Sequence, residues 1–237
     1  YAFSIRQLNN GDYIIAGGTY SFGVGECDLF LINVDSNGDI LWQKTYGGTY
    51  IESASSIFQT PDEGFIVAGT TNSFGLGDND IWILKVDSSG NVQWQKTYGG
   101  EARDNAFSIV RTSDNGYLVV GDSSSFSQNR EDGWLLKLNS IGNIEWQKTY
   151  GSNDTDYLMG AAENPEGGFF VLGYTKSFGE GDYDLFTLSL DSSGSIDACP
   201  YIHETYVSPT NSLAIVKVSS FEVSSPFVEV VNTYAIG

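Results

Sequence analysis

Basic residues, histidine, cysteine and methionine are all scarce in this 237-residue chain. Eleven Lys and Arg stand against thirty Asp and Glu, a formal net charge of −19. Such a surface repels phosphate backbones, which argues against nucleic acid as a partner, and it attracts cations, divalent ones included. The single histidine, His203, has no matched nucleophile and acid in its sequence context, and no Cys or His cluster offers a zinc site. Two cysteines, Cys27 and Cys199, are too few for a disulfide scaffold but enough for one staple. No apolar run approaches the ~18 residues a membrane-spanning helix needs, and no stretch sustains a helical period. The chain opens on Tyr1 rather than methionine and carries no signal-peptide pattern, so it is expected to be processed or truncated.

What is present is a repeat. Hydrophobic residues make up 41% and charged residues 17%, the balance of a packed globular protein. The string Trp-Gln-Lys-Thr-Tyr-Gly occurs at Trp42–Gly47, Trp94–Gly99 and Trp146–Gly151, at a constant spacing of 52. Ser21-Phe22, Asp28 and Gly38 recur at the same step, through to Ser177-Phe178, Asp184 and Gly194. A fixed period of this length is the mark of a repeat architecture.

Each repeat predicts four strands. In the second, Ser55–Gln59 leads, Pro61-Asp62-Glu63-Gly64 turns, with Gly64 expected to take the positive φ, and Phe65–Thr70 follows. A Gly-rich loop, Asn72–Asp78, leads into Asp80–Val86, and Asp87-Ser88-Ser89-Gly90 closes a hairpin to Val92–Tyr98. In the third of these strands Trp82, Leu84 and Val86 share one face while Ile81 and Ile83 share the other. A strand apolar on both faces belongs to a sheet covered on both sides. Four short antiparallel strands per repeat, both faces covered, predicts an all-β fold, a β-propeller of four 52-residue blades. A seven- or eight-bladed ring of which these are four blades fits the same pattern, and a flat solenoid ranks below both. The blades span about 1–48, 49–100, 101–151 and 152–204. In the fourth, Ser195–Tyr201 replaces the Trp string, as atypical terminal repeats do. Residues 205–237 form an extended tail with strand-forming runs at Leu213, Ile215, Val216 and Val218 and at Phe227, Val228, Val230 and Val231.

The order of parts, with an aromatic-aliphatic strand ending in glycine (Tyr13–Gly18) and a Trp-bearing last strand, resembles kelch-type propeller blades. The Asp-x-x-Gly-x-x-x-Trp hairpin is similar to the Trp-bearing blades of quinoprotein propellers. The Trp-Gln-Lys-Thr-Tyr-Gly-Gly string resembles secreted prokaryotic repeat proteins. These resemblances cover about residues 1–200.

The recurrent Asp28, Asp80, Asp132 and Asp184 invite a carboxylate site, but a site is usually built once and a packing device in every repeat. Calcium at the Gly-rich loops is the narrower expectation, with Asp78 and Asp80, and Asp182 and Asp184, as oxygen donors. Asp35–Asp39 echoes an EF-hand loop but sits in a hairpin, where a plain turn is expected. Glu52, Asp104 and Asp156 precede each leading strand and are expected at a channel rim. Trp42, Trp94 and Trp146 are expected between blades, and Lys44, Lys96 and Lys148 on an exposed edge. Asn153 heads a lone glycosylation sequon. Cys27 and Cys199 lie in repeats that adjoin only if a four-bladed ring closes, and their bridge would staple it.

These readings converge on a non-catalytic structural or interaction protein of the cell exterior or surface. No cofactor is expected other than calcium. The expected partners are cell-surface proteins, glycans or other copies of the chain, joined by tail strands added to a neighbouring edge. A glycan- or calcium-binding propeller is the second reading, and an enzyme acting on polysaccharide the third.

Overall fold

The computed structural model describes residues 1–127, 130–196 and 223–224. No helix occurs among them, and none is therefore long and apolar enough to cross a membrane. Fifteen strands form four antiparallel sheets. The first holds β1 (Ala2–Gln7), β2 (Tyr13–Thr19), β3 (Asp28–Val34) and β4 (Ile40–Tyr46). The second holds β5 (Glu52–Gln59), β6 (Phe65–Thr71), β7 (Asp80–Val86) and β8 (Val92–Tyr98). The third holds β9 (Asp104–Arg111), β10 (Tyr117–Ser123), β11 (Asp132–Leu138) and β12 (Ile144–Tyr150). The fourth has β13 (Asp156–Glu163), β14 (Phe169–Thr175) and β15 (Asp184–Leu190), with a lone bridge from Leu190 to Ile196. A two-residue strand, β16 (Val223–Ser224), pairs antiparallel with Tyr46 and Thr45 on the outer edge of the first sheet.

Every sheet is an up-and-down meander, its strands joined in sequence by tight turns and one longer Gly-rich loop. The β5–β6 turn corrects one expectation. Glu63, not Gly64, has the positive φ, at 62°, as Asn115 does at 67° in the third repeat. Gly64 is required for a different reason: a Cβ there would run into the carbonyl oxygen of Val86. The β7–β8 hairpin has Gly90 at φ 75°, and the first repeat's hairpin is held by Asp35, whose Oδ1 accepts the amides of Asn37 and Asp39 at 2.8 and 2.9 Å. That is a plain Asx turn.

The sheets stack face to face in chain order. β5 lies on β1, β2 and β3, β9 on β5, β6 and β7, and β13 on β9, β10 and β11. Three apolar cores result, one per junction. Leu29, Leu31, Ala54, Val67, Trp82 and Leu84 lie in the first. Ile81, Ile83, Ala106, Val119, Trp134 and Leu136 lie in the second, and Leu118, Val120, Leu135, Leu158, Val171 and Leu188 in the third. β7 and β11 are buried on both faces because each serves two junctions. Among the described residues no strand of the first sheet makes an extended contact with a strand of the fourth. The blade-like repetition is therefore clear, and the described sheets form an open row.

Candidate functional site

The repeated string is a clasp between sheets. Trp42 donates its indole N–H to Ser88 O at 3.0 Å, Lys44 its ammonium to Asn91 Oδ1 at 2.9 Å, and Tyr46 its hydroxyl to Gly90 O at 2.7 Å. All three partners belong to the hairpin of the next repeat. Tyr98 and Tyr150 repeat the bond to Gly142 O and Gly194 O, both at 2.6 Å, and Lys96 reaches Asn143 Oδ1 at 2.6 Å. Alternate residues of a strand point to one side, so Trp, Lys and Tyr at spacings of two all face the next sheet. The tryptophans therefore do lie between sheets. The lysines, expected on a free edge, are half-buried and tied across the junction.

The two acidic series are also structural ties. Asp80 is buried, and its Oδ2 accepts the loop amides of Leu76 and Gly77 at 2.8 and 3.3 Å. Asp28 does the same for the Gly25 amide at 3.1 Å. Gly23, Gly75 and Gly179 have φ of 110°, 106° and 101°, and a Cβ on any of them would overlap the aspartate that its loop wraps. Burial pushes the Asp28 carboxyl up, against the Gly25 and Val24 amides, and neighbouring Glu52 adds to the rise. Glu52, Asp104 and Asp156, expected on a solvated rim, are fully buried. Glu52 accepts Gly48 N at 2.7 Å, Thr71 Oγ1 at 2.8 Å and Ser73 N at 3.1 Å. Asp104 accepts Gly100 N, Ser123 Oγ and Ser125 Oγ, and burial raises its pKa against those bonds.

Of the calcium donors expected at the Gly-rich loops, Asp80 is engaged as above. Asp78 is exposed, and Asp182 is exposed and paired with Lys176 at 2.9 Å. Asp184 is half-buried under Gly179. No group of three or more His, Cys, Asp or Glu stands together as a metal would require among the described residues.

One polar group is built only once. At the position occupied by Gly18, Thr70 and Tyr174 in the other repeats, the third has Asp122, fully buried. Asn105 Nδ2 donates to both its oxygens at 3.3 and 3.2 Å, and Asn79 Nδ2 donates to Asn105 Oδ1 at 3.2 Å. Burial pushes the Asp122 carboxyl up to about 7, against Asn105 and Arg103, while Glu131 and Asp104 add to the rise. The chain of Asn79, Asn105 and Asp122 runs from the second sheet into the third and is closed to solvent at its acidic end.

A cleft of about 300 Å³ opens beside the first junction, between Leu8, Leu41, Trp42, Gln59, Phe65 and Ser88. The larger exposed apolar surfaces are at the two ends of the row. On the fourth sheet Phe170 is 59%, Leu172 53% and Leu185 79% exposed, where the equivalent Ile66, Ala68 and Ile81 are all at 0%. On the first sheet Ile5 is 57% exposed and Tyr13, Ile15, Phe30 and Ile32 are half-exposed, where Ile57, Phe65, Val67, Trp82 and Leu84 are buried.

Cys27 is a free, buried thiol whose Sγ lies 3.4 Å from the Tyr1 hydroxyl, and its backbone bridges to Ile51 at the first junction. No disulfide is seen among the described residues; Cys199 lies outside them. Asn153 is exposed before β13. The tail positions Leu213, Ile215, Val216, Val218, Phe227, Val228, Val230 and Val231 also lie outside the described residues.

Sequence reasoning missed the Tyr hydroxyl clasp, the Asp122 network and the end faces. The network had a legible signal, a carboxylate where no other repeat has one. The end faces had none, because their residues match buried ones elsewhere. No family model matches the chain. Over 113 residues it is 30% identical to the regulatory protein FlaEY of Caulobacter vibrioides, an alignment spanning 42% of this chain and 12% of that protein. The chain thus matches a small part of that relative's length.

Proposed function

We propose that this chain is a non-catalytic interaction module, an array of four propeller-type blades that binds another protein through the apolar faces at its two ends. The observation that carries this is positional. Residues equivalent to buried core lie open on the first and fourth sheets, and apolar faces of that kind mark interaction surfaces. The recurrent carboxylates support the same reading, since those at Asp28, Asp80, Glu52 and Asp104 hold their own loops. A working place outside the cell or on its surface accords with the strong acidity and with the exposed sequon at Asn153.

An apolar dye such as bis-ANS tests the proposal at high protein dilution. The wild type is expected to bind dye, and Phe170→Lys with Leu185→Lys to lose about half of the signal. Unchanged dye binding in that variant, or none in the wild type, overturns the reading.

A further inference from the structure

We propose that the partner of these faces is a second copy of this chain. The open face of its fourth sheet docks on the open face of the other copy's first sheet, and reciprocally, closing a ring of eight blades from two chains. This rests on the interaction reading above and names its partner.

The internal junctions supply the template. Each one joins a downstream face to an upstream face, never two faces of one kind. Among the described residues the row leaves one unused face of each kind, so a second copy offers the complement of both. Such head-to-tail contacts form a ring when the rotation closes. Propellers run from about four to eight blades. Two copies of the four described sheets give eight blades, and three copies would exceed that range.

A size rule at the junctions points to the same pairing. Leu29 on the first sheet shares its core with Ala54 on the second, and Ile81 shares its core with Ala106. At the third junction the sizes are exchanged. The downstream residue is Gly133, and Leu158 fills the space where a Cβ on Gly133 would stand. One large and one small residue therefore occupy this pair of positions at every junction, in keeping with close packing. The unused downstream residue is Leu185, which is large. Its partner must be small, and the unused upstream residue at the matching position is Ala2. Phe30 and Ile32 would then be covered as Trp82 and Leu84 are.

The junction between copies lacks one feature of the internal ones. Ser195 and Ile196 follow β15 where the other repeats lead into the Trp string. The contact would have the core without that clasp, so association is expected to depend on concentration.

The test is sedimentation velocity of the whole chain over a concentration series, for the wild type and three variants. The wild type is expected to reach twice the chain mass of 25.8 kDa at high concentration. Ala2→Leu should clash with Leu185, and Leu185→Gly should leave a hole opposite Ala2. Each is expected to weaken association by about tenfold or more. The double variant recreates the Gly133–Leu158 arrangement and should recover to within about threefold of wild type. Both positions are exposed in the single chain, so unfolding is not expected; Leu185→Ala is the milder substitute if Leu185→Gly melts early.

Four outcomes overturn the proposal: a monomer at all concentrations, open-ended growth beyond two chains, insensitivity to either single variant, or no recovery in the double. A monomer that still binds the apolar dye keeps the interaction reading and removes the second copy. A monomer that binds no dye removes both.

Discussion

Trp82 and Phe30 hold the same place in two repeats, as do Ile81 and Leu185. Trp82 and Ile81 are fully buried, whereas Phe30 is half-exposed and Leu185 is 79% exposed. The strands, turns and loop ties around them are alike, so local sequence does not account for the difference. What differs is the neighbour. Among the described residues the second and third sheets each have one on both sides, while the first and fourth sheets each have one on a single side. In a row of stacked units, burial is a property of the junction rather than of the repeat.

The sharpest way to break that comparison is to truncate both members of a pair. Trp82→Ala is expected to cost about 3–5 kcal/mol of unfolding free energy, the usual cost of removing a buried large aromatic. Phe30→Ala should cost less than half as much in the dilute single chain. Urea denaturation monitored by circular dichroism measures both, and equal losses would mean that the first sheet is covered after all.

The second test contrasts the third repeat, which alone buries a carboxylate at this position, with the others through pH. An unfolded Asp titrates near 3.9, and buried Asp122 near 7. Between those values the folded chain holds more protons at this site than the unfolded one. Stability should therefore fall as pH rises from about 4 to about 7 and level off above that. The ceiling on this contribution is about 4 kcal/mol, from three pH units at 1.36 kcal/mol each. Asp122→Asn should flatten the slope, and the slope rather than the absolute stability is the readout. A variant with an unchanged profile between pH 4 and 7 would refute the assignment.

A smaller effect separates clasp from core. Tyr98→Phe removes only the hydroxyl that donates to Gly142 O. It is expected to lower stability by about 1 kcal/mol, seen as a fall of about 2–4 °C in melting temperature for a chain of this size. No shift would make the clasp incidental to the packed rings.

The smallest effect belongs to the end face. Leu185→Ser should change the stability of the dilute single chain by no more than about 0.5 kcal/mol, as surface substitutions do. A loss above 2 kcal/mol would place Leu185 inside a core. The same substitution at Ile81 would be expected to unfold the second junction.

Much of this architecture was legible residue by residue. The alternation in Asp80–Val86 with both faces apolar announced a doubly covered strand, and β7 is buried on both sides. The spacing of 52 set the sheets, and Asp35-Ser36-Asn37-Gly38 named a hairpin turn rather than a cation loop. The candidate site was less legible. Glu52, Asp104 and Asp156 looked like a solvated rim because a sequence shows a carboxylate but not the amides and hydroxyls folded over it. Gly64 looked like the residue with positive φ because it is the glycine in the turn, yet Glu63 takes that conformation and Gly64 admits the Val86 carbonyl.

The periodic content was readable from the residues alone: all-β repeats, their strand pattern, the turn chemistry and the acidic surface follow from interactions within a few residues or one repeat length. The packing of the sheets set which equivalent residues are buried and which carboxylates are enclosed, because each depends on what lies alongside. Leu29 and Leu185 are the same amino acid at the same repeat position, and only the presence of a neighbouring sheet makes the first core and leaves the second surface.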